Sequence, residues 1–73
     1  KSVSDAGVAA LTARTAAEGA YLNVIINLPG IEDKKFKAEI SKEAGKVRTE
    51  VVKHTEETVR LVEKALEDAD QGE

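Results

Sequence analysis

The chain has 73 residues, no cysteine and one histidine, so it forms at most one small domain without disulfides or a thiolate metal site. Its formal net charge of −3, with no separate basic patch, argues against nucleic-acid binding, and Tyr21 and Phe36 are too few aromatic residues for base stacking. The amino end shows no secretory signal, and the longest uncharged run, Gly19 to Ile31, is too short to cross a bilayer. We therefore expect a soluble, cytoplasmic protein without a metal ion.

The first predicted element is a helix over about residues 5–28. Ser4 is a good N-cap, and Asp5 directly after it suits the positive end of the helix dipole. The residues that follow are mostly helix formers. Val24 to Ile26 alone could also form a strand, but the preceding turns are strongly helical and no turn signal separates them. We therefore favour one continuous helix.

A tight connection at Pro29 and Gly30 separates this helix from a second one over about residues 34–67. Proline cannot continue the hydrogen-bond ladder, glycine accommodates the backbone that the turn requires, and Asp33 is the expected cap of the second helix. Small and apolar residues recur on that helix at steps of three and four, which predicts one buried face. The members of this face are Phe36, Ile40, Ala44, Val47, Val51, Thr55, Thr58, Val62 and Ala65. Residues 68–73 are polar and are expected to fray.

The first helix has too much apolar surface for a two-helix monomer. Apolar or small residues surround almost all of it, apart from Arg14, Glu18 and Tyr21 on one side, and residues 19–28 carry no charge. One neighbouring helix would leave a large apolar patch in water. The predicted fold class is therefore an all-α helical hairpin that forms part of a larger helical bundle, either by oligomerisation or as one piece of a larger domain.

Polar and small residues share one line along the first helix. At 100° per residue, this line contains Asp5, Thr12, Ala16, Gly19, Asn23 and Asn27. Asn23 and Asn27 are about one turn apart and can bind one polar partner together, whereas Asp5 is about 27 Å from Asn23 along the axis. The line could contact an elongated ligand, belong to two sites, or be completed by a symmetry mate. Helix packing also explains the small residues and the asparagines, and interaction with the helix dipole also explains Asp5.

The remaining polar residues indicate little chemistry. His54 lies among Lys53, Thr55 and Glu56 on the second helix, where a solvated or rim position is expected rather than acid–base catalysis. The sequence has no nucleophile–base pair, phosphate-binding loop or metal-ligand spacing.

Three segments of the chain resemble a known enzyme family. They are SDAGVAA from Ser4, AAEGAYLNVIINL from Ala16, and IEDKKF from Ile31. The stretch from Ser4 to Phe36 is similar to the C-terminal region of the formiminotransferase-cyclodeaminase family, which includes the cyclodeaminase module and related bacterial methenyltetrahydrofolate cyclohydrolases. The second helix agrees in length and pattern but has no distinctive residues.

The resemblance implies an all-α fold that forms a dimer and binds a reduced folate. In that family, cyclodeaminases close 5-formimidoyltetrahydrofolate to 5,10-methenyltetrahydrofolate with loss of ammonia. The cyclohydrolase relatives interconvert 5,10-methenyltetrahydrofolate and 10-formyltetrahydrofolate. Neither reaction is expected to need a metal or a redox cofactor. The resemblance makes Asp5 the candidate catalytic residue, for proton transfer or for holding a pterin nitrogen, and makes Asn23 and Asn27 the candidate substrate-binding residues.

The family's N-terminal helices have no counterpart in this chain. The resemblance therefore implies that residues 1–73 are a C-terminal fragment of one cyclodeaminase-like domain. The remaining helices are expected from the same domain or from a separate chain, in a homodimer or higher oligomer. These residues alone are not expected to catalyse a reaction. The alternative is a non-enzymatic helical hairpin that serves as a structural or oligomerisation module.

Overall fold

In the computed structural model, which describes residues 2–71, the chain is an antiparallel hairpin of two helices. Helix α1 spans Val3–Asn27, a 3₁₀ turn spans Leu28–Gly30, and helix α2 spans Lys34–Gln71. The hairpin is a rod with extents of 61 × 14 × 14 Å. The predicted all-α hairpin is confirmed, and residues 24–26 are helical rather than extended.

Helix α1 begins two residues earlier than the sequence pattern predicted, because Ser2 and not Ser4 is its N-cap. The Ser2 hydroxyl accepts a hydrogen bond from the Asp5 backbone N–H (3.4 Å), and the Asp5 carboxylate accepts one from the Ser2 backbone N–H (3.1 Å). Such a reciprocal capping box needs an acidic or amide side chain three residues after the cap. Ser4 cannot form one, because Gly7 occupies that position. Asp5 therefore has a structural role in the first turn.

The connection between the helices is one 3₁₀ turn. Helix α1 ends at Asn27, one residue before its predicted end, and Pro29 lies within the turn. The backbone N–H of Ile31 donates to the carbonyl oxygen of Leu28 at 3.0 Å, which closes the turn. Within residues 2–71 no backbone has a positive φ, so Gly30 is not required for a left-handed conformation.

Asp33 caps helix α2, as the sequence predicted. Its Oδ1 atom accepts hydrogen bonds from the backbone N–H groups of Lys35 (3.0 Å) and Phe36 (3.1 Å). These two N–H groups have no carbonyl partner within the helix, because they belong to its first turn. The cap therefore starts α2 directly after the connection.

Helix α2 continues to Gln71, so the expectation that the chain frays from Asp68 onwards is wrong up to that residue. The Lys64 Nζ atom lies 3.6 Å from an Asp68 carboxylate oxygen, in an i,i+4 pair that supports the last turns. Residues 72–73, which were also expected to fray, lie outside the described residues. Neither helix, over the part described, is long and apolar enough to cross a membrane.

The closest approach of a glycine to the facing helix is at Gly7. A Cβ atom at this position would lie 3.2 Å from Val62 Cγ1, which is tighter than ordinary van der Waals contact. Ala10 and Thr55 are buried, with 8% and 6% of their surfaces exposed, and the Thr55 hydroxyl donates to the Val52 carbonyl oxygen at 2.9 Å. Small residues therefore bring the helices close here, and the buried hydroxyl keeps a hydrogen-bond partner.

Helix α1 covers only the centre of the predicted apolar face of α2. The covered members are Ile40, Ala44, Val51, Thr55, Thr58 and Val62. Phe36 is 51% exposed, Val47 is 53% exposed, and Ala65 is also exposed, so the hairpin does not bury them as predicted. They lie along one edge of the face, beyond the arc that one neighbouring helix can cover. Among the described residues Ala10 is the only buried hydrophobic one, so the hairpin has almost no core of its own.

Candidate functional site

The candidate catalytic residue, Asp5, lies in the first turn of α1 and is exposed. Its Oδ2 atom accepts the hydrogen bond from Ser2, and its Oδ1 atom takes no part in the capping box. The carboxylate also lies in the first turn, at the positive end of the helix dipole. Oδ1 could accept a hydrogen bond or a proton from a ligand while Oδ2 stays in the cap.

The candidate substrate-binding residues, Asn23 and Asn27, lie in the last two turns of α1, and both are exposed. The Asn27 Nδ2 atom donates to the Asn23 backbone carbonyl oxygen at 2.7 Å. One amide donor of Asn27 is therefore used within the helix. The Asn23 side chain is exposed and takes no part in this bond, so its two N–H donors and its carbonyl acceptor are available to a ligand.

The structure brings the two asparagines together, but it places Asp5 at the other end of α1. The helix rise puts Asp5 about 27 Å from Asn23 along the axis. Helix α1 is continuous from Val3 to Asn27, so nothing folds the two ends towards each other. Within one hairpin these three side chains cannot surround one small ligand.

The surface between these two ends faces away from α2, and we call the line from Asp5 to Asn27 the outer face of α1. Ala16 and Gly19 on this face are exposed, and a Cβ atom at Gly19 would meet no atom within 4 Å. Thr12 and the neighbouring Thr15 donate their hydroxyl hydrogens to the carbonyl oxygens four residues before them, at 2.9 and 3.1 Å. After its first turn the outer face is therefore uncharged and carries small residues at its centre. The threonine hydroxyl groups on and beside it donate to carbonyl oxygens of the same helix.

A charged cluster that the sequence analysis did not predict lies between the helices on the other side of α1. The Arg48 Nε atom donates to Glu18 Oε1 at 2.5 Å, and the Arg48 guanidinium lies 5.0 Å from the centre of the Tyr21 ring. Arg14 lies 3.8 Å from Glu18 and 3.6 Å from Glu56. The hydrogen bond from Arg48 holds the pKa of Glu18 below its usual value, and the same bond raises the pKa of Arg48. These charges are paired with one another, so the cluster joins the helices rather than offering a free acid or base.

His54 lies on the surface of α2, and 77% of its side chain is exposed. Its Nδ1 atom is 3.5 Å from a carboxylate oxygen of Glu57, one turn along the helix. Among the residues of α1, none places a carboxylate within ion-pair distance of His54. Within residues 2–71, no three side chains of His, Asp or Glu are grouped so that they could hold a metal ion.

A comparison with protein families gives a match for this chain. The model of the family described as formiminotransferase-cyclodeaminase matches residues 1–46, which is more than half of the 73 residues. The chain belongs to the formiminotransferase-cyclodeaminase family. The resemblance predicted from the sequence segments is thereby confirmed, and the matched part contains Asp5, Asn23 and Asn27. No curated protein and no solved structure matches the chain.

Membership of the formiminotransferase-cyclodeaminase family implies a folate-related enzyme as the parent of these helices. The match contains the whole of α1, the 3₁₀ turn and the start of α2. Residues 47–71, which form most of α2, lie beyond it. The family evidence therefore bears most directly on α1 and its outer face.

Proposed function

We propose that the domain to which this chain contributes is a cytoplasmic folate one-carbon enzyme. It converts 5-formimidoyltetrahydrofolate to 5,10-methenyltetrahydrofolate with release of ammonia, or it carries out the related cyclohydrolase reaction on 5,10-methenyltetrahydrofolate. The observation that carries this proposal is the family match over residues 1–46, which holds every candidate site residue. The transferred carbon stays at the oxidation level of formate in both reactions, so acid–base groups suffice and no metal or redox cofactor is proposed.

Asp5 is the proposed proton-transfer residue. In ring closure, N10 of the folate attacks the formimidoyl carbon and loses its proton. The C–N bond to the departing nitrogen breaks as that nitrogen gains two protons and leaves as ammonia. A carboxyl group within hydrogen-bond reach can carry such a proton, or it can hold a pterin N–H and so fix the ring. The exposed Oδ1 atom of Asp5 suits either role, because only Oδ2 is needed for the capping box.

Asn23 and Asn27 are the proposed folate-orienting residues. Pterin and amide groups carry donors next to acceptors, and an asparagine side chain offers both kinds of group. The Asn23 amide is the better placed of the two, because the Asn27 Nδ2 atom already donates to the Asn23 carbonyl oxygen. We therefore assign the main polar contact to Asn23.

The separation of Asp5 from the asparagines supports a shared site, in which further helices or a second copy complete the pocket. We propose a homodimer or higher oligomer, with the remaining helices supplied by the same domain or by a separate chain. Suppose that two α1 helices pack antiparallel along their outer faces, with a two-fold axis beside Ala16. Asp5 of one copy then lies beside Asn27 of the other, because both residues are eleven positions from Ala16. The uncharged outer face and the open space at Gly19 suit such close packing.

The first experiment measures binding of tetrahydrofolate to the complete domain by calorimetry. Saturable binding in the micromolar range supports the enzyme, whereas no binding at millimolar ligand contradicts it and favours a non-enzymatic structural or oligomerisation module. A second experiment chooses the reaction. Ammonia release from 5-formimidoyltetrahydrofolate indicates the cyclodeaminase, and hydrolysis of 5,10-methenyltetrahydrofolate without that release indicates the cyclohydrolase.

A further inference from the structure

One flank of the hairpin carries an open apolar groove of about 300 Å³. Its α1 wall consists of Ala17, Ala20, Tyr21 and Val24, and its α2 wall includes Ile40, Val47 and Arg48, whose guanidinium is paired with Glu18. Alanine side chains leave room for larger side chains of a neighbour, and Val47 is 53% exposed beside them. Because the groove runs lengthwise between two antiparallel helices, its shape fits a third helix that packs along both.

The apolar surface continues beyond this groove, and we call the whole of it the apolar flank. On α1, Ala6 and Ala13 precede Ala20 at steps of seven residues, so all three lie on the same side of the helix. On α2, Leu61 follows Val47 two heptads later and is 62% exposed. From Ala6 onwards the flank extends for about 27 Å along α1, from the helical rise. A partner helix can therefore lie along most of α1.

An acidic edge borders the apolar flank on α2 alone. Glu43, Glu50 and Glu57 are exposed and lie seven residues apart, and Glu43 lines the groove itself. A seven-residue repeat keeps side chains on one side of a helix that packs against a neighbour. The charged residues of α1 after its first turn are Arg14 and Glu18, and both belong to the charged cluster on the opposite flank. One edge of the flank is thus negative and the other is uncharged.

We propose that the apolar flank binds a helix that carries large apolar side chains on one face and Lys or Arg at every seventh position along one edge. The large side chains fill the space above the alanines of α1. The basic side chains meet the acidic edge of α2, where opposite charges fix the register and direction of the partner. The inference rests on the proposal above that further helices cover the hairpin, and it applies to either folate reaction.

A second copy of this chain does not meet these requirements. In an antiparallel two-fold contact through the apolar flank, the acidic edges of the two copies face each other and the like charges repel. In a parallel two-fold contact, each acidic edge faces the uncharged edge on α1 and meets no opposite charge. The basic residues of α2 that repeat every seven positions, Lys46, Lys53 and Arg60, lie farther round the helix, beyond the acidic edge. Helix α1 has no lysine to supply a basic edge. Self-association through the apolar flank therefore lacks the charge pairing that the proposed partner supplies.

The test uses the 73-residue chain and three synthetic amphipathic peptides of about four heptads each. The peptides share one Leu/Ala face and differ only in one edge residue per heptad, which is Lys, Gln or Glu. Fluorescence anisotropy gives each dissociation constant at low and high salt. We expect the Lys peptide to bind about tenfold more tightly than the Glu peptide, with the Gln peptide between them and a smaller difference at high salt.

Matched charge reversals locate the effect on the chain. E43K/E50K changes the acidic edge and should reverse the preference, so that the Glu peptide binds more tightly than the Lys peptide. E63K/E67K changes the net charge by the same amount on the other side of α2, where Glu63 lines a different groove, and should retain the preference for Lys. Val47→Asp should weaken binding of all three peptides, with circular dichroism confirming that the helices remain.

The proposal is overturned if the Lys and Glu peptides bind with equal affinity. It is also overturned if E63K/E67K reverses the peptide preference as strongly as E43K/E50K does. Peptide binding that survives Val47→Asp also overturns it, because the peptides then lie elsewhere. The absence of peptide binding overturns it as well. This holds for a monomeric chain and for a chain that sedimentation shows to be self-associated. Peptide selectivity and folate binding are measured separately, so the failure of one is distinguishable from the failure of the other.

Discussion

Arg48 of α2 donates a hydrogen bond to Glu18 of α1, and this pair joins the two helices across their interface. The bond lowers the pKa of Glu18 in the folded hairpin. A carboxyl group with a lowered folded-state pKa stabilises the fold above its unfolded pKa, and this contribution disappears as the pH falls through the folded pKa. The two side chains are 32% and 43% exposed, so solvent screening keeps the contribution modest.

Glu18→Gln should therefore lower the melting temperature at pH 7, because the neutral amide cannot form the ion pair with Arg48. The gap from the unmodified chain should close at about pH 2, where the glutamate is protonated as well. Circular dichroism melting at several pH values measures both effects. Glu67→Gln, on an exposed position of α2, is the control and should leave the melting temperature unchanged. A gap for Glu18→Gln that persists in acid would contradict the proposed ion-pair origin.

Three glycine-to-alanine substitutions should stabilise the hairpin by amounts that follow the free space around each new Cβ atom. Alanine favours a helix over glycine by about 1 kcal/mol, and this gain should appear in full for Gly19→Ala, which meets no atom within 4 Å. Gly45→Ala should gain nearly as much, because its new carbon lies 3.9 Å from Tyr21. Gly7→Ala should gain less, because Val62 lies 3.2 Å away and must move.

Urea unfolding of the three variants gives these differences in the free energy of unfolding. A double-mutant cycle isolates the contact: in a Val62→Ala background, Gly7→Ala should gain as much as Gly19→Ala does in the original chain. If Gly7→Ala stabilises as strongly as Gly19→Ala without that change, the close approach at Gly7 is not present in solution.

Asp5→Asn should separate catalysis from helix capping. It removes the proton-carrying group, and turnover of the complete domain should fall by about a hundredfold or more. Ser2→Ala is the matched control, because it removes the other half of the capping box and keeps the carboxylate. Ser2→Ala should cost about 1 kcal/mol of stability and leave turnover near its original value. Unaltered turnover in Asp5→Asn would remove this residue from the catalytic assignment.

Asn23→Ala should weaken tetrahydrofolate binding to the complete domain by about tenfold, the loss expected when a ligand hydrogen bond is removed. Asn27→Ala should weaken it less, because its Nδ2 atom is already engaged by the Asn23 backbone carbonyl oxygen. Calorimetry on both variants and the unmodified domain measures the order. A greater loss for Asn27→Ala would reverse the assigned roles.

The two helices and the turn between them were predictable from sequence, because they depend on local interactions. The cap at Asp33 and the turn at Pro29 depend on side chains and backbone groups within a few residues of each other. The start of α1 was misplaced because Ser2 and Ser4 are both good caps, and only the position of Asp5 relative to each decides between them. The deciding signal, a serine three residues before an acid, was present in the sequence.

Contacts between the helices were not predictable in the same way. Arg14 and Glu18 stand out in the sequence of α1, but their meeting with Arg48 and Glu56 depends on the register between α1 and α2. That register is set by packing, including the contact between Gly7 and Val62, which no local pattern specifies. The exposure of Phe36 has a related cause, because a hydrophobic stripe does not show how many neighbours will cover it.

The family and the spacing of its candidate residues were accessible from sequence. The matched segments were specific enough to indicate the family, and the helical rise already separated Asp5 from Asn23 by about 27 Å. The partner that completes the site was not accessible, because its side chains are not part of this chain. The structure added that Asp5 also caps α1, which makes the control at Ser2 necessary.

Two threonines of α1, whose hydroxyl groups donate to backbone carbonyl oxygens of the same helix, affect how neighbouring helices can assemble on it. Thr12 and Thr15 satisfy their hydroxyl groups as soon as the helix forms, before any neighbour arrives. Docking of a neighbour on the outer face of α1 therefore need not break a hydroxyl hydrogen bond.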